Sequence, residues 1–206
     1  MRRPALTVLT LAAAASAFVG LGAIAAPMAS ADTIITATYP VSGSTHLKAP
    51  NATVPLGPGS LSSTVDLNTG AVTAATLTLP PATGAFKVLG FIPVSATTTL
   101  SPVGTATGKV SLAANTVSVT TQANMRITSL KVAGLPIPVG SSCQTSTPIT
   151  FTVNSQPGFN VLNGGVVAGT YTIPQFSHCG FATLMINLTL PGSGNTISLT
   201  LGKATL

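Results

Sequence analysis

Acidic side chains are almost absent from this chain. Its 206 residues include two carboxylates, Asp32 and Asp66, and no glutamate, and charged residues of both signs make up 5% of the composition. A glycosidase needs two carboxylates that flank the scissile bond. Asp32 would stand at the N-terminus of the mature chain, which leaves Asp66 without a credible partner. We therefore predict that the protein is not an enzyme, and a hydrolase is the least favoured function.

Clustered basic residues and long apolar runs are also missing beyond the N-terminal segment. The six cations after residue 31 are scattered, with no two adjacent: Lys48, Lys87, Lys109, Arg126, Lys131 and Lys203. Nucleic-acid binding needs a concentrated basic surface that neutralises many phosphates together, and a transmembrane helix needs about 18 consecutive apolar residues. The sequence predicts neither a nucleic-acid partner nor a membrane span in the mature chain.

The first 31 residues have the pattern of a secretory signal peptide. Two arginines follow the initial methionine, an Ala/Leu-rich apolar stretch comes next, and Ala29-Ser30-Ala31 forms a small-residue cleavage site. The alternative is an uncleaved membrane anchor, which glycine and proline residues within the apolar stretch disfavour. We predict a signal peptide at 1–31 and a mature chain at 32–206 that is secreted or held in the cell envelope.

What the mature chain has in abundance is β-branched residues. Threonine accounts for 31 of the 175 residues in 32–206, and such side chains fit a pleated sheet better than a helix. Glycine and proline recur every few residues and leave no room for long helices. We predict a single all-β antiparallel domain, either a sandwich or a curled, closed barrel. Closure is mildly favoured, because poorly charged sheet edges are usually covered or closed.

Alternation of apolar and polar residues predicts individual strands. Two hairpins, a bulged strand and two further strands follow from it. The first hairpin pairs 65–68 with 76–79, and the second pairs 109–112 with 117–120 around Asn115. The bulge lies near Ser129 within the strand 125–132. The two further strands are 166–173 and 197–201.

Three segments are less regular. Thr33–Gly59 shows weaker alternation, and 51–59 within it is predicted to be a loop packed on the domain. Phe181–Leu190 fits a strand or a short helix. The glycine-rich stretch at 191–195 is predicted to be a turn or loop.

Two stretches resemble each other, at 87–94 and 131–139. Both begin Lys-Val-x-Gly and continue through an apolar corner that ends in Pro-Val, so a true repeat would make them equivalent strand–corner–strand units. The corners either form a hydrophobic contact surface or ligand mouth, or plug the open end of the sheet. Exposed apolar patches are uncommon on monomers, which favours the plug. The candidate ligand or contact residues are Phe91, Ile92, Leu135 and Ile137.

The chain has two cysteines, Cys143 and Cys179. In an exported protein a single pair is expected to form a disulfide, which would stabilise the fold by roughly 3.5–4 kcal/mol through the chain entropy of the loop. A metal site that adds His46 and His178 is the alternative, but His178 adjoins Cys179 and no C-x-x-C or H-x-x-x-H spacing occurs. We predict the disulfide and neither metal nor cofactor.

Residues for nucleophilic catalysis are equally few. A Ser-His-Asp triad would need Asp66 with His46 or His178, and no Gly-x-Ser-x-Gly elbow is present. A Cys-His pair would need free cysteines. We predict that His178 is a hydrogen-bonded structural residue and Asp66 a solvated strand residue, and we assign no catalytic residue.

Three sequence stretches in the C-terminal half are distinctive: 134–143, 172–180 and 191–196. With the Ala-rich N-terminal segment, they resemble secreted β-rich proteins of actinobacteria, mycobacteria included, over about residues 86–206. The resemblance implies an envelope or extracellular location and a paired cysteine, and it brings no catalytic residue.

Three classes of function are compatible with these features. The first is a non-catalytic exported envelope protein that binds an apolar or amphipathic, lipid-like ligand, since such a pocket is mostly hydrophobic with few polar anchors. The second is a structural or adhesive surface protein that associates with itself through its apolar corners. The third is a hydrolase.

Overall fold

Twelve strands and one short helix lie in residues 33–88 and 90–206, the part of the chain that this computed structural model describes. The predicted signal peptide lies outside the described residues. The strands are β1 (Ile34–Leu47), β2 (Ala52–Asp66), β3 (Ala71–Thr78), β4 (Ala82–Val88), β5 (Ile92–Ser111), β6 (Thr116–Val132), β7 (Leu135–Pro136), β8 (Gln144–Thr145), β9 (Ile149–Ser155), β10 (Gly165–Ile173), β11 (Phe176–Ser177) and β12 (Gly192–Leu201), and the helix is α1 (Ala182–Thr189).

Eight of the strands close into an antiparallel barrel. Their order around the ring is β6, β9, β10, β12, β1, β2, β3 and β5, and β5 pairs with β6 to complete it. The remaining strands are attached outside this ring, with β4 on β5, β7 and β8 on β6, and β11 on β8. The prediction of a single all-β antiparallel domain is confirmed, and of the two architectures it left open the structure shows the closed barrel.

The barrel strands bury one face and expose the other. On β12, Asn195, Ile197, Leu199 and Leu201 are buried, and the residues between them are exposed. The outer face carries threonine where other proteins often have charged residues. Threonine hydroxyl groups on neighbouring strands are hydrogen-bonded to each other, at 3.0 Å in Thr36–Thr64, 2.9 Å in Thr83–Thr97 and 3.0 Å in Thr120–Thr152. Cross-strand hydroxyl pairs of this kind stabilise a sheet without ionic groups, which explains how so few charges suffice.

The barrel has two distinct ends. At one end β1 turns into β2 and β12 begins, and α1 packs there with Ala182, Ile186 and Leu190 buried. We call this the helical end. At the opposite, far end, β2 turns into β3 and β5 turns into β6.

Both predicted hairpins are confirmed. Val65 pairs with Val72 across β2 and β3, although Leu67 and Asn68 of the predicted first strand lie in the turn, and Val110 pairs with Val117 across β5 and β6. Asn115 lies in the second turn with φ of 51°, a left-handed conformation that asparagine tolerates. The predicted bulge is also confirmed, because the register between β5 and β6 shifts between the pairs formed by Ser129 and Ile127.

Three local predictions are corrected. Residues 51–59 belong mainly to β2, a full barrel strand, and not to a loop. The stretch at 191–195 is largely the start of β12, where Asn195 is buried and accepts the backbone N–H of Lys48 at 2.9 Å. For Phe181–Leu190 the prediction left a strand or a short helix open, and the structure shows the helix, α1 at Ala182–Thr189.

Candidate functional site

The barrel wall has one line along which its strands are mostly not hydrogen-bonded to each other. β3 pairs with β5 only through Ala71–Lys109 and Val72–Gly108, near the far end. Toward the helical end the chain crosses from β3 to β4, which pairs with β5 and only packs against β2. We call this line, between β2–β3 on one side and β4–β5 on the other, the seam.

Prolines mark the seam in the sequence. Pro55 and Pro58 lie on the part of β2 that has no ladder partner on its seam side, and Pro102 lies on the equally unpaired part of β5. A proline cannot donate a backbone hydrogen bond, so within sheets it is confined to edges and irregular positions. These three prolines thus lie where the barrel wall lacks pairing.

The seam is lined inside by apolar side chains that surround a narrow cavity of about 50 Å³ beneath the helical end. Val54 of β2, Phe86 of β4 and Leu100 of β5 line it, and Leu190 at the end of α1 lies over it. A second cavity of about 80 Å³ follows toward the middle of the barrel and shares Leu79 and Leu100 with the first. The two form a run of apolar space along the seam.

The hydroxyl groups around the first cavity all have hydrogen-bond partners within the protein. Thr45 donates to the carbonyl of Thr196 at 2.8 Å, and Tyr171 therefore donates its phenol hydrogen to the Thr45 hydroxyl at 2.6 Å. Thr98 donates to the carbonyl of Ala82 at 3.4 Å. In the described part of the chain, no buried side-chain nitrogen or oxygen lacks a hydrogen-bond partner. The first cavity consequently offers contact to hydrocarbon and no free hydroxyl group as a polar anchor.

α1 covers the helical end of the barrel and is held by specific contacts. The side-chain amide of Asn187 accepts the backbone N–H of Phe176 at 2.7 Å and donates to its carbonyl at 3.0 Å, which fixes the helix to β11. Just before the helix, Cys179 is bonded to Cys143, and both cysteines are fully buried. The predicted disulfide is confirmed.

The opposite face of α1 is apolar and exposed. Phe181, Leu184 and Leu188 have exposed fractions of 81%, 71% and 77%. Their spacing places them along one side of a helix, whereas a surface helix usually presents polar residues there. Sequence reasoning missed this face. The spacing of these three residues is the signal that would have identified it once the segment was read as a helix.

The predicted contact residues lie on two hairpin tips at the same end. Phe91 precedes β5 and is 71% exposed, and Leu135 begins β7 and is 68% exposed, while Ile92 and Ile137 are partly buried. The hairpins are neighbours, since Val94 pairs with Val132. The plug interpretation is therefore wrong for Phe91 and Leu135, because both side chains lie in solvent.

The few polar candidates for catalysis are far apart. Asp66 pairs with Ile34 at the far end, and His46 lies 12 residues further along β1, which is roughly 40 Å of extended strand. His46 contacts the hydroxyl of Thr53 at 3.3 Å and His178 that of Ser177 at 3.0 Å. Among the described residues no group of three metal-ligating side chains is close enough to hold an ion.

The pKa values of Asp66, Tyr39 and Tyr171 are shifted by their surroundings. The hydroxyl of Thr69 donates to Asp66 at 2.7 Å and lowers the pKa of that carboxyl, with the backbone N–H of Asn68 adding to the effect. Burial raises the pKa of Tyr39 and of Tyr171. Each shift has a local structural cause, and none of the three groups is paired with another titrating side chain.

A larger but open cleft lies at the far end. Its volume is about 690 Å³, and the turn at 67–70 and the turn at 111–113 form its walls. Polar and apolar residues alternate along it, with Lys109 and Leu112 among them. The cleft is open to solvent and its lining is more polar than that of the cavities along the seam, so the apolar interior at the seam remains the better candidate for a hydrocarbon ligand.

No known protein family, curated protein or solved structure gives a match to this chain. None of the helices in the described part of the chain is long and apolar enough to span a membrane.

Proposed function

We propose that the protein is a non-catalytic envelope protein that binds the hydrocarbon part of an amphipathic, lipid-like ligand inside its barrel. The observation that supports this most is the run of apolar space along the seam, where the hydroxyl groups of Thr45, Thr98 and Tyr171 around the first cavity are hydrogen-bonded to the protein. An eight-stranded barrel is the size that encloses side chains or one small ligand. Because the hydroxyl groups around the first cavity are hydrogen-bonded within the protein, the head group of the ligand would remain at the surface.

Binding requires the interior to expand. Drug-sized ligands occupy pockets of about 300–1,000 Å³, whereas the two cavities measure about 50 and 80 Å³. The seam provides the means, because separating β4–β5 from β2–β3 along most of its length breaks side-chain packing and few backbone hydrogen bonds. Each of the remaining seven pairs of neighbouring strands in the ring is paired over more residues than β3 and β5 are.

Two truncations on α1 test whether the cavity is the binding site. Leu190→Ala enlarges the cavity, and Ile186→Ala removes an equally buried side chain of the same helix that does not line it. Both should destabilise the fold, by about 2–5 kcal/mol. Titration with a fluorescent long-chain fatty acid should give one binding site in the unmodified protein and tighter binding for Leu190→Ala alone. Absence of binding by the unmodified protein and by Leu190→Ala would refute the proposal.

A disulfide across the seam tests the route of entry. A β-carbon added at Gly84 would lie 3.7 Å from that of Val54, within the range that a disulfide spans. The double variant Val54→Cys, Gly84→Cys should exclude the fatty acid when oxidised and admit it after mild reduction. The single variant Val54→Cys, treated identically, is the control, because it avoids the 2.6 Å approach of a β-carbon at position 84 to Cγ2 of Val54. Uptake that is unaffected by the bond would show that the ligand does not pass the seam.

Self-association is the second candidate function. It is favoured by the exposed apolar side chains of α1 and of the two hairpin tips, which a second copy of the chain could cover. Sedimentation velocity over a range of protein concentrations distinguishes the two candidates. A dimer that Leu184→Gln converts to monomer would support self-association, and a concentration-independent monomer would exclude it.

A further inference from the structure

The apolar tips of the two neighbouring hairpins are backed by lysines. Lys87 pairs with Pro93 across β4 and β5, and Lys131 pairs with Ser95 across β5 and β6. Pro93 and Ser95 are two residues apart on β5, so their side chains and those of both lysines share one face of the sheet. The same residues line an open groove of about 360 Å³ on this face.

The lysines lie a short distance behind the tips. Phe91 lies in the turn two residues before Pro93, the partner of Lys87, so the two α-carbons are at most about 7 Å apart. Leu135 is adjacent to Pro136, the partner of Lys131. Apolar side chains that anchor a protein at a bilayer penetrate about 5–10 Å into the boundary between head groups and acyl chains. At that depth of insertion, both ammonium groups would be level with the lipid phosphates.

Charge is distributed unequally between the two ends of the barrel. The half that includes the helical end carries Lys48, Lys87, Arg126 and Lys131 and no carboxylate, a formal charge of +4. The far half carries Lys109 and Lys203 against Asp66, or +2 − 1 = +1. The most positive part of the described chain is thus the part whose apolar side chains are most exposed.

We propose that the helical end of the barrel docks on the surface of an anionic lipid bilayer, through Phe91 and Leu135 with Lys87 and Lys131 behind them. The exposed face of α1 adds apolar area at the same end. This inference concerns a surface outside the barrel and holds whether or not a ligand enters the interior. Charge complementarity selects an anionic bilayer over a second copy of the chain, because the helical ends of two copies would repel each other.

Vesicle co-sedimentation tests the electrostatic part. The protein, with its intact mass measured first so that all variants share one N-terminus, is mixed with phosphatidylcholine vesicles with or without phosphatidylglycerol. We expect binding only when phosphatidylglycerol is present, and weaker binding as salt is raised. The double variant Lys87→Gln, Lys131→Gln should bind about 30-fold more weakly, or about fivefold for each lysine. The matched control Lys109→Gln, Lys203→Gln should bind like the unmodified protein.

A second set of variants tests the apolar part. Phe91→Ser with Leu135→Ser should weaken vesicle binding by at least about tenfold, while Leu112→Ser, an exposed leucine at the far end, should leave it unchanged. Equal binding with and without phosphatidylglycerol, or tip variants that bind normally, would overturn the proposal. So would a dimer in vesicle-free solution that the tip variants abolish, since a second copy would then be the occupant.

Discussion

Removal of the disulfide is the perturbation whose size follows most directly from the structure. The bond joins Cys143, just before β8, to Cys179, just before α1, and closes a span of 36 residues that contains the barrel strands β9 and β10. Replacing both cysteines with alanine opens this loop in the unfolded chain while leaving the rest of the sequence intact. The double variant Cys143→Ala, Cys179→Ala should therefore fold, but with reduced stability.

The expected magnitude comes from loop entropy. For a loop of 36 residues, the chain-entropy relation gives about 12.8 cal/mol/K, or about 3.8 kcal/mol at 25 °C. In a domain of this size each kcal/mol lowers the melting temperature by about 2–4 °C, so a fall of about 8–15 °C is expected. Loss of the two sulfur atoms from fully buried positions adds a smaller packing penalty.

Denaturant unfolding followed by far-ultraviolet circular dichroism measures this difference. Three samples separate its causes: the oxidised protein, the same protein with its disulfide reduced, and the double alanine variant. The reduced protein retains the volume of both side chains, so its deficit reports the cross-link alone, and the further deficit of the alanine variant reports the packing.

Two results would refute the reasoning. One is a free energy of unfolding for the reduced protein within about 1 kcal/mol of the oxidised value, which would mean that the unfolded chain is not constrained by the cross-link. The other is detection of free thiols in the native protein, which would show that the bond is not formed. An intact mass two hydrogens below the reduced value is the corresponding positive control.

Three further predictions follow from single features. Burial raises the pKa of both Tyr39 and Tyr171 above the ordinary value of 10.0. Their contribution to stability is therefore complete below pH 10 and is lost as the pH rises through their pKa values in the folded protein. Tyrosinate absorbance should appear at higher pH in the native protein than in the urea-unfolded protein. Gly169→Ala would place a β-carbon 2.0 Å from the carbonyl oxygen of Thr152 and should cost about 3 kcal/mol in denaturant unfolding, whereas Thr170→Ala, on the outer face, should cost under about 0.5 kcal/mol. Finally, if 1–31 is a cleaved signal peptide, N-terminal sequencing of the exported protein should begin at residue 32, and an intact N-terminus would contradict it.

Local patterns of the sequence predicted much of the fold because they act over a few residues. The alternation at 109–112 and 117–120 specified a hairpin around Asn115, and the slip near Ser129 specified a bulge, since a one-residue shift reverses which face of a strand is buried. The disulfide was equally predictable, because the chain offers one pairing of its two cysteines.

The prolines of β2 show where local reading failed. Pro55 and Pro58 interrupt the alternation at 51–59, and the segment was predicted to be a loop, whereas it forms part of a barrel strand. The strand tolerates Pro58 because it lies where the register between β1 and β2 shifts, and Pro55 lies where β2 has no strand partner on its seam side. Which edge of a strand goes unpaired depends on partners distant in the sequence.

Taken by itself, the sequence determined the class of fold, two hairpins, the cross-link and the scarcity of reactive groups, since composition and short-range periodicity carry this information. The tertiary structure decided the rest. Closure of the barrel, the seam and the exposed faces of α1 and Phe91 depend on long-range pairing, such as that of β1 with β12. At that end Ile186 of α1 is buried in the core whereas Phe91 is exposed, a difference that short-range patterns do not encode.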